Sequence, residues 1–139
     1  MAKIVRFGVS MSATLLEQFD QLVSEQGYAN RSEAIRDLVR DALVTREWEE
    51  GDGEVAGTIT LMYDHHTVGL SDTLTEVQHE YHDLIVSTLH VHLDDHNCLE
   101  NIVVRGSPGR AKQLADQLIP IKGVIHGKLT LTSTGRNLK

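Results

Sequence analysis

Thr88-Leu89-His90-Val91-His92-Leu93-Asp94-Asp95-His96-Asn97-Cys98 is the stretch on which the fold of this chain turns. Successive side chains of a strand point to opposite faces, so His90 and His92 share one face and Leu89, Val91 and Leu93 the other. Asp94 to Asn97 is rich in turn formers, which predicts a hairpin that returns Cys98 on a neighbouring strand. Two imidazoles and one sulfur then converge with no long-range contact. Thiolate with imidazole is a ligand set for a borderline-soft transition metal. Cys98 is the only cysteine, which rules out an internal disulfide framework and fits a reducing compartment.

Upstream, His79 and His82 stand at i, i+3 in a helical pattern, with Asp83 beside them. One helix face can present an imidazole to the site, and spacing does not choose between the two. Three protein ligands would leave an open position, whereas four would close the site.

Outward from the hairpin, the second half reads as strand (55–63), helix (70–84), strand (85–93), strand (98–105), helix (108–119) and strand (124–132). Ser107 caps the second of these helices, with Pro108 at its first position, and Leu114, Ala115, Leu118 and Ile119 form its buried stripe. The order β-α-β-β-α-β predicts a ferredoxin-like split fold with a four-stranded antiparallel sheet.

The first half is of another kind. Val5, Phe7, Val9 and Met11 alternate with Arg6, Gly8 and Ser10, which predicts a strand with one buried and one polar face. A helix follows on Leu15, Leu16, Phe19, Leu22 and Val23, capped by Ser12 or by Thr14 with Glu17, and closed at Gly27. A second helix opens at Asn30, with Glu33 as its reciprocal partner and a stripe of Ala34, Ile35, Leu38, Val39, Ala42 and Leu43. So short a unit buries too little apolar surface to be stable alone, so an intertwined dimer with paired strands is expected. The acidic, glycine-bearing stretch 50–54 reads as a linker. The domains are therefore drawn at 1–49 and 55–139, giving an α+β chain.

The chain has 139 residues, 40% of them hydrophobic, with 13 Lys and Arg against 20 Asp and Glu for a net charge of −7. That balance argues against sequence-blind nucleic-acid binding but leaves room for a local basic patch. No apolar run approaches the ~18 residues of a membrane span, and residues 1–6 lack a signal-peptide block, so a cytoplasmic protein is predicted. Arg6, Gly8 and Ser10 are what a two-stranded ribbon would present to a major groove. Asn30, Arg31 and Ser32 offer backbone N–H groups and a cation to a phosphate.

Gly27-Tyr28-Ala29-Asn30-Arg31-Ser32-Glu33-Ala34-Ile35-Arg36-Asp37 resembles the second-helix signature of ribbon-helix-helix DNA-binding proteins. Joined to Thr88–His92 and Cys98, the whole chain resembles the nickel-responsive ribbon-helix-helix regulators. The resemblance implies a homotetramer, a dimer of dimers in which ribbon-helix-helix pairs flank a core of four ACT-type ferredoxin-like domains. It implies a planar Ni(II) site of His90, His92 and Cys98 from one subunit and His79 from a neighbour, leaving His82 outside. It implies base reading of double-stranded operator DNA through Arg6, Gly8 and Ser10. Gly8 departs from the family pattern, which more often has a hydroxyl residue there, implying a different or weaker operator preference. It also implies a second cation site on Glu33 and Asp37, suited to potassium through oxygen ligands.

Gln78 and Glu100 are expected to orient the ligands, since Glu100 shares strand parity with Cys98. Metal binding is expected to favour arrangements in which both ribbons meet two operator half-sites, with repression as the output. A metal hydrolase or deaminase is disfavoured: the H-x-E with P-C-x-x-C motif of zinc deaminases is missing, so no enzyme is expected. The alternative is a regulator of the same fold that responds to another metal or to a small organic ligand.

Overall fold

The computed structural model describes residues 2–51 and 53–139; Met1, at the head of the first expected domain, and Asp52, within the expected linker, lie outside the described residues. Two helices, α1 (Ala13–Glu25) and α2 (Arg31–Glu50), precede β1 (Val55–Asp64), α3 (Leu70–His79), β2 (Ile85–His92), β3 (Asn97–Gly106), α4 (Pro108–Leu118) and β4 (Val124–Ser133). The chain packs as two compact units that divide at Val44. The sequence places the junction at 50–54, but the packing places it inside α2. The reason is Trp48, which is buried in the second unit's core and donates its indole Nε1–H to the Thr132 carbonyl at 2.8 Å.

In the first unit the helix ends follow from side-chain chemistry. Ser12, rather than Thr14, caps α1: its hydroxyl accepts from Leu15 N at 3.2 Å. At the other end Tyr28 N bonds Val23 O at 3.0 Å and Gly27 N bonds Ser24 O at 3.1 Å, a Schellman closure that needs the left-handed φ of 77° at Gly27. At the start of α2, Asn30 Oδ1 accepts from Glu33 N at 3.0 Å, while Glu33 Oε2 accepts from Ala29 N at 3.4 Å. The strand expected over residues 5–11 is not formed in the single chain. Val5 and Phe7 are 73% and 74% exposed, because a ribbon strand needs an edge to pair with and the chain by itself supplies none there.

The second unit is the expected β-α-β-β-α-β order on an antiparallel sheet with strand order β2-β3-β1-β4. One face of the central strands is buried: Val55, Ile59, Leu61 and Tyr63 of β1, and Cys98, Ile102 and Val104 of β3. Leu70 and Leu74 of α3 and Ala111, Leu114 and Leu118 of α4 close the same core. Each large aliphatic side chain fully buried this way contributes roughly 1.5–3 kcal/mol. Gly127 is where β4 meets this layer, since a Cβ there would lie 2.6 Å from Ile119 Cγ1 and 3.1 Å from Leu61 Cδ2.

Helix α3 is shorter than the sequence predicts. It stops at His79, and 80–84 form tight turns in which Tyr81 N bonds Gln78 O at 3.0 Å and Leu84 N bonds Tyr81 O at 2.9 Å. The turns bury Tyr81 and Leu84, so the apolar spacing that reads as a continuing helix is satisfied without one. His79 is thus a last-turn residue, and His82 lies on the turns.

Candidate metal centre

The centre is built where β2, β3 and the end of β1 meet. In the ladder His92 pairs with Cys98, His90 with Glu100, and Tyr63 with Cys98 from the other side. All these residues therefore project from the helix-bearing face. The hairpin turn is held by Asp94, whose Oδ1 accepts from His96 N at 2.8 Å and Asn97 N at 2.7 Å, while Oδ2 accepts from Asn97 Nδ2 at 3.1 Å. Those three donors draw the Asp94 carboxyl down to about 2.

Cys98 Sγ is buried and lies 3.3 Å from His92 Nδ1, the contact the hairpin predicts. It also lies 3.3 Å from Nδ1 of His65, a residue the sequence did not single out. His65 follows β1 directly, and its N–H donates to His96 O at 3.1 Å, extending the ladder by one residue. His65, His92 and Cys98 each offer a donor atom within 4.8 Å of the others. Asp64, His65 and His66 form the other such group among the described residues.

His90 is on the same face but turned elsewhere. Its Nδ1 is 3.2 Å from Tyr63 Oη and 3.8 Å from Glu100 Oε1. Its ring centroid is 5.0 Å from that of His92. Gln78 Nε2 donates to Glu100 Oε2 at 3.2 Å, so Gln78, Glu100, His90 and Tyr63 form one connected set beside the sulfur. His79 and His82, both exposed, line an open cleft with Thr75, Gln78, Ile85 and Glu100. His79 is not brought to Cys98 within this chain.

Burial governs the electrostatics. It pushes the Cys98 thiol up, opposed by a hydrogen bond from the His65 backbone, with Asp64, Asp94 and Glu100 adding to the rise. Burial likewise pushes the Tyr63 phenol up to about 12, helped by Glu100 and Cys98, so Tyr63 keeps its proton beside His90 Nδ1. Burial raises Glu100 as well, opposed by Gln78 and His90. With Nε2 bound to a metal, a neutral His90 ring would carry its proton on Nδ1, which would then donate to Tyr63 Oη. The donor set, one sulfur with imidazoles beside it, fits a borderline-soft ion such as nickel.

In the first unit Arg6, Gly8 and Ser10 are exposed on the unpaired N-terminal segment. Arg31, expected at a phosphate, is held by Asp20 through two bonds of 2.7 and 2.8 Å. Asn30 spends its side-chain oxygen on the α2 cap. Glu33 and Asp37 share a cleft with Tyr28, Arg36 and Arg40. Asp37 already accepts from Tyr28 Oη at 2.7 Å and from Arg40 Nη1 at 3.2 Å, and the Tyr28 bond lowers its carboxyl.

Comparison with known proteins matches this layout. Residues 56–132 match the family described as the NikR C-terminal nickel-binding domain, and residues 5–46 match the ribbon-helix-helix protein, copG family. A Thermococcus onnurineus protein named nickel-responsive regulator is 60% identical over 136 residues, covering 98% of this chain and 99% of the relative. A protein of that name from Geobacter sulfurreducens is 60% identical over 138 residues, 99% of each chain, and one from Pyrococcus abyssi is 57% identical over 135 residues, covering 97% and 98%. An uncharacterized protein from Thermotoga maritima, 13% identical, superposes with a TM-score of 0.53 over 58% of this chain and all of its own, a likeness of fold alone. With a ribbon-helix-helix DNA-binding unit ahead of a ferredoxin-like nickel-binding unit, this chain belongs to the nickel-responsive regulators, a family of nickel-dependent regulators of transcription.

Proposed function

We propose that this regulator binds Ni(II) through His90, His92 and Cys98 of one protomer and His79 of another, and then holds operator DNA as a repressor. The observation that carries the reading is the 3.3 Å approach of His92 Nδ1 to Cys98 Sγ, with His90 on the same face of the hairpin. His79 reaches no donor of this set within its own chain, as a ligand destined for a neighbouring subunit would not. Bound nickel would supply a fixed cross-link between protomers. Tyr63 and Glu100 would orient His90, and Gln78 would hold Glu100. The chain is then a homotetramer, two ribbon-helix-helix dimers around an ACT-type core, acting in the cytoplasm and not as an enzyme.

Arg6, Gly8 and Ser10 would read bases once a second protomer pairs with the N-terminal segment, whose exposed Val5 and Phe7 supply the apolar face such pairing covers. Asn30 and Arg31 would approach the backbone. Metal that fixes an arrangement in which two ribbons engage together gains the advantage of linkage, ~10²–10⁴ in affinity without any new base contact. The domains are then 1–49, 50–54 as linker and 55–139, with Val44 and Trp48 at the end of α2 packed on the second domain's core. A potassium ion at Glu33 and Asp37 would have to displace Arg40 from Asp37.

The test is gel-shift of promoter DNA across a nickel series, with copper and zinc as controls, on wild type, His90→Ala and Cys98→Ala. Operator binding should require nickel and vanish in both variants while the metal-free proteins stay folded. Equal operator affinity with and without nickel would refute it.

A further inference from the structure

We propose that the Arg110–Asp83 pair is a positioning device for His79: it fixes the turns that close α3 and so holds the last helical turn ready for a neighbouring subunit. The inference deepens the proposed nickel reading and rests on it, since His79 needs positioning only if it is a ligand. Helix α3 ends at His79, and residues 80–84 carry the chain to β2 as tight turns. His79 is exposed, so packing of its own side chain does not set where it stands. The turns do. His82 Nδ1 lies 3.2 Å from the His79 carbonyl. A carbonyl only accepts, so the His82 ring donates there and satisfies one of the open carbonyls of the helix end. Asp83 is the next residue, and Arg110 of α4 grips its carboxylate with both Nη nitrogens, Nη1 on Oδ2 and Nη2 on Oδ1, the second at 3.0 Å.

The grip is prepared from α4. Ser107 caps that helix by accepting from Arg110 N at 3.4 Å, which sets the arginine in the first turn. Its Cζ lies 5.4 Å from the centroid of the buried Tyr81 ring, and the hydroxyl of that ring accepts from Gln117 Nε2 at 2.8 Å. Arg110 and Gln117 stand at i and i+7 on α4, so one helix face holds Tyr81 at ring and tip while the guanidinium takes Asp83. An exposed ion pair usually contributes little to stability, because two long side chains must be ordered to make it. Here the arginine already lies on a ring and its partner is short, so the bidentate bond forms at a small ordering cost. Both side chains are partly exposed and fill no core, so losing the pair frees the turns beside His79 and leaves the sheet intact. A loosened His79 would then have to be ordered at the moment of ligation, which lowers affinity.

The experiment measures nickel affinity of the full chain by chelator competition in wild type, Arg110→Gln, His79→Ala and the double variant. Arg110→Gln should weaken nickel by about tenfold, the low end of what loss of a ligand-orienting partner costs a metal site. Once His79 is alanine the same change should matter by less than about twofold, since positioning acts only through the group positioned. An equal loss in both backgrounds means that the pair serves the fold and not His79, and overturns the proposal. So does an Arg110→Gln affinity within about twofold of wild type while His79→Ala is impaired. Wild-type affinity in His79→Ala overturns the shared-ligand reading instead, and this inference with it. Asp83→Ala, which unmakes the pair from its other side, should reproduce the loss. In the metal-free protein, hydrogen exchange at the Leu84 amide should quicken in both single variants of the pair, while the Ile102 amide of β3 exchanges as in wild type and shows that they fold. Unchanged exchange at Leu84 would also end the proposal.

Discussion

Replacing Tyr63 by Phe tests whether the hydrogen bond onto His90 matters to the nickel site. The ring is 2% exposed and the replacement fills the same space, so the change removes one hydroxyl hydrogen-bond partner and little packing. The bond lost is 3.2 Å long and joins the phenol oxygen to the His90 ring. Such a bond is worth ~1 kcal/mol net, or about fivefold in affinity. Loss of an orienting partner costs metal sites about 10–100-fold. The lower figure governs here, because the His90 side chain is 38% exposed and water can replace part of what is lost. Nickel affinity, read by chelator competition at fixed pH, should fall about five- to tenfold in Tyr63→Phe. A nickel affinity within about twofold of wild type, less than half a kcal/mol, would refute the orienting role.

Three further outcomes are expected. Trp48→Ala should destabilise the metal-free protein by roughly 3–5 kcal/mol, and Trp48→Phe by ~0.5–1.5 kcal/mol through loss of the indole N–H bond to the Thr132 carbonyl; a loss below about 1 kcal/mol for the alanine variant in urea unfolding would contradict the core role of this residue. Asp20→Asn should release Arg31, tighten operator binding and steepen its dependence on log salt by ~0.9, the increment of one more phosphate contact; an unchanged slope argues that Arg31 meets no phosphate. Asp83 is held below the usual carboxylate range by its bonds to Arg110, so its contribution to stability is present above the ordinary carboxyl pKa and is lost as pH falls through the lowered one. The stability gap between wild type and Asp83→Asn should therefore be open at pH 7 and shut in strong acid, and a gap that widens on acidification would reverse the assigned sign.

The hairpin was legible because all it needs is local: alternation places His90 and His92, and the Asp94 turn returns Cys98 six residues later. The order of the second unit followed from the same kind of pattern. His65 was not legible. Its approach to Cys98 depends on the β1–β3 register that sets Tyr63 opposite Cys98, a pairing across 35 residues of sequence that no local spacing encodes. The end of α3 was misread because Tyr81 and Leu84 keep helical spacing while the backbone has gone over to turns. Trp48 lay beyond the apolar stripe of α2, and nothing in the helix period tells that its last turns serve a different core. The N-terminal alternation is a strand pattern, and the single chain supplies no edge for it to pair with.

The Asp94 turn has a consequence for how fast an ion can be captured. Because three donors pin the carboxylate and keep it ionised down to about 2, the span between His92 and Cys98 is set by the loop before any ion arrives. In the proposed nickel set the chelate ring would close without a search through loop conformations, the entropy of closure having been spent during folding. Loosening this turn, as Asp94→Ala would, leaves the donor atoms chemically intact but slows their joint capture of a metal, a kinetic defect that equilibrium titration at saturating metal would overlook.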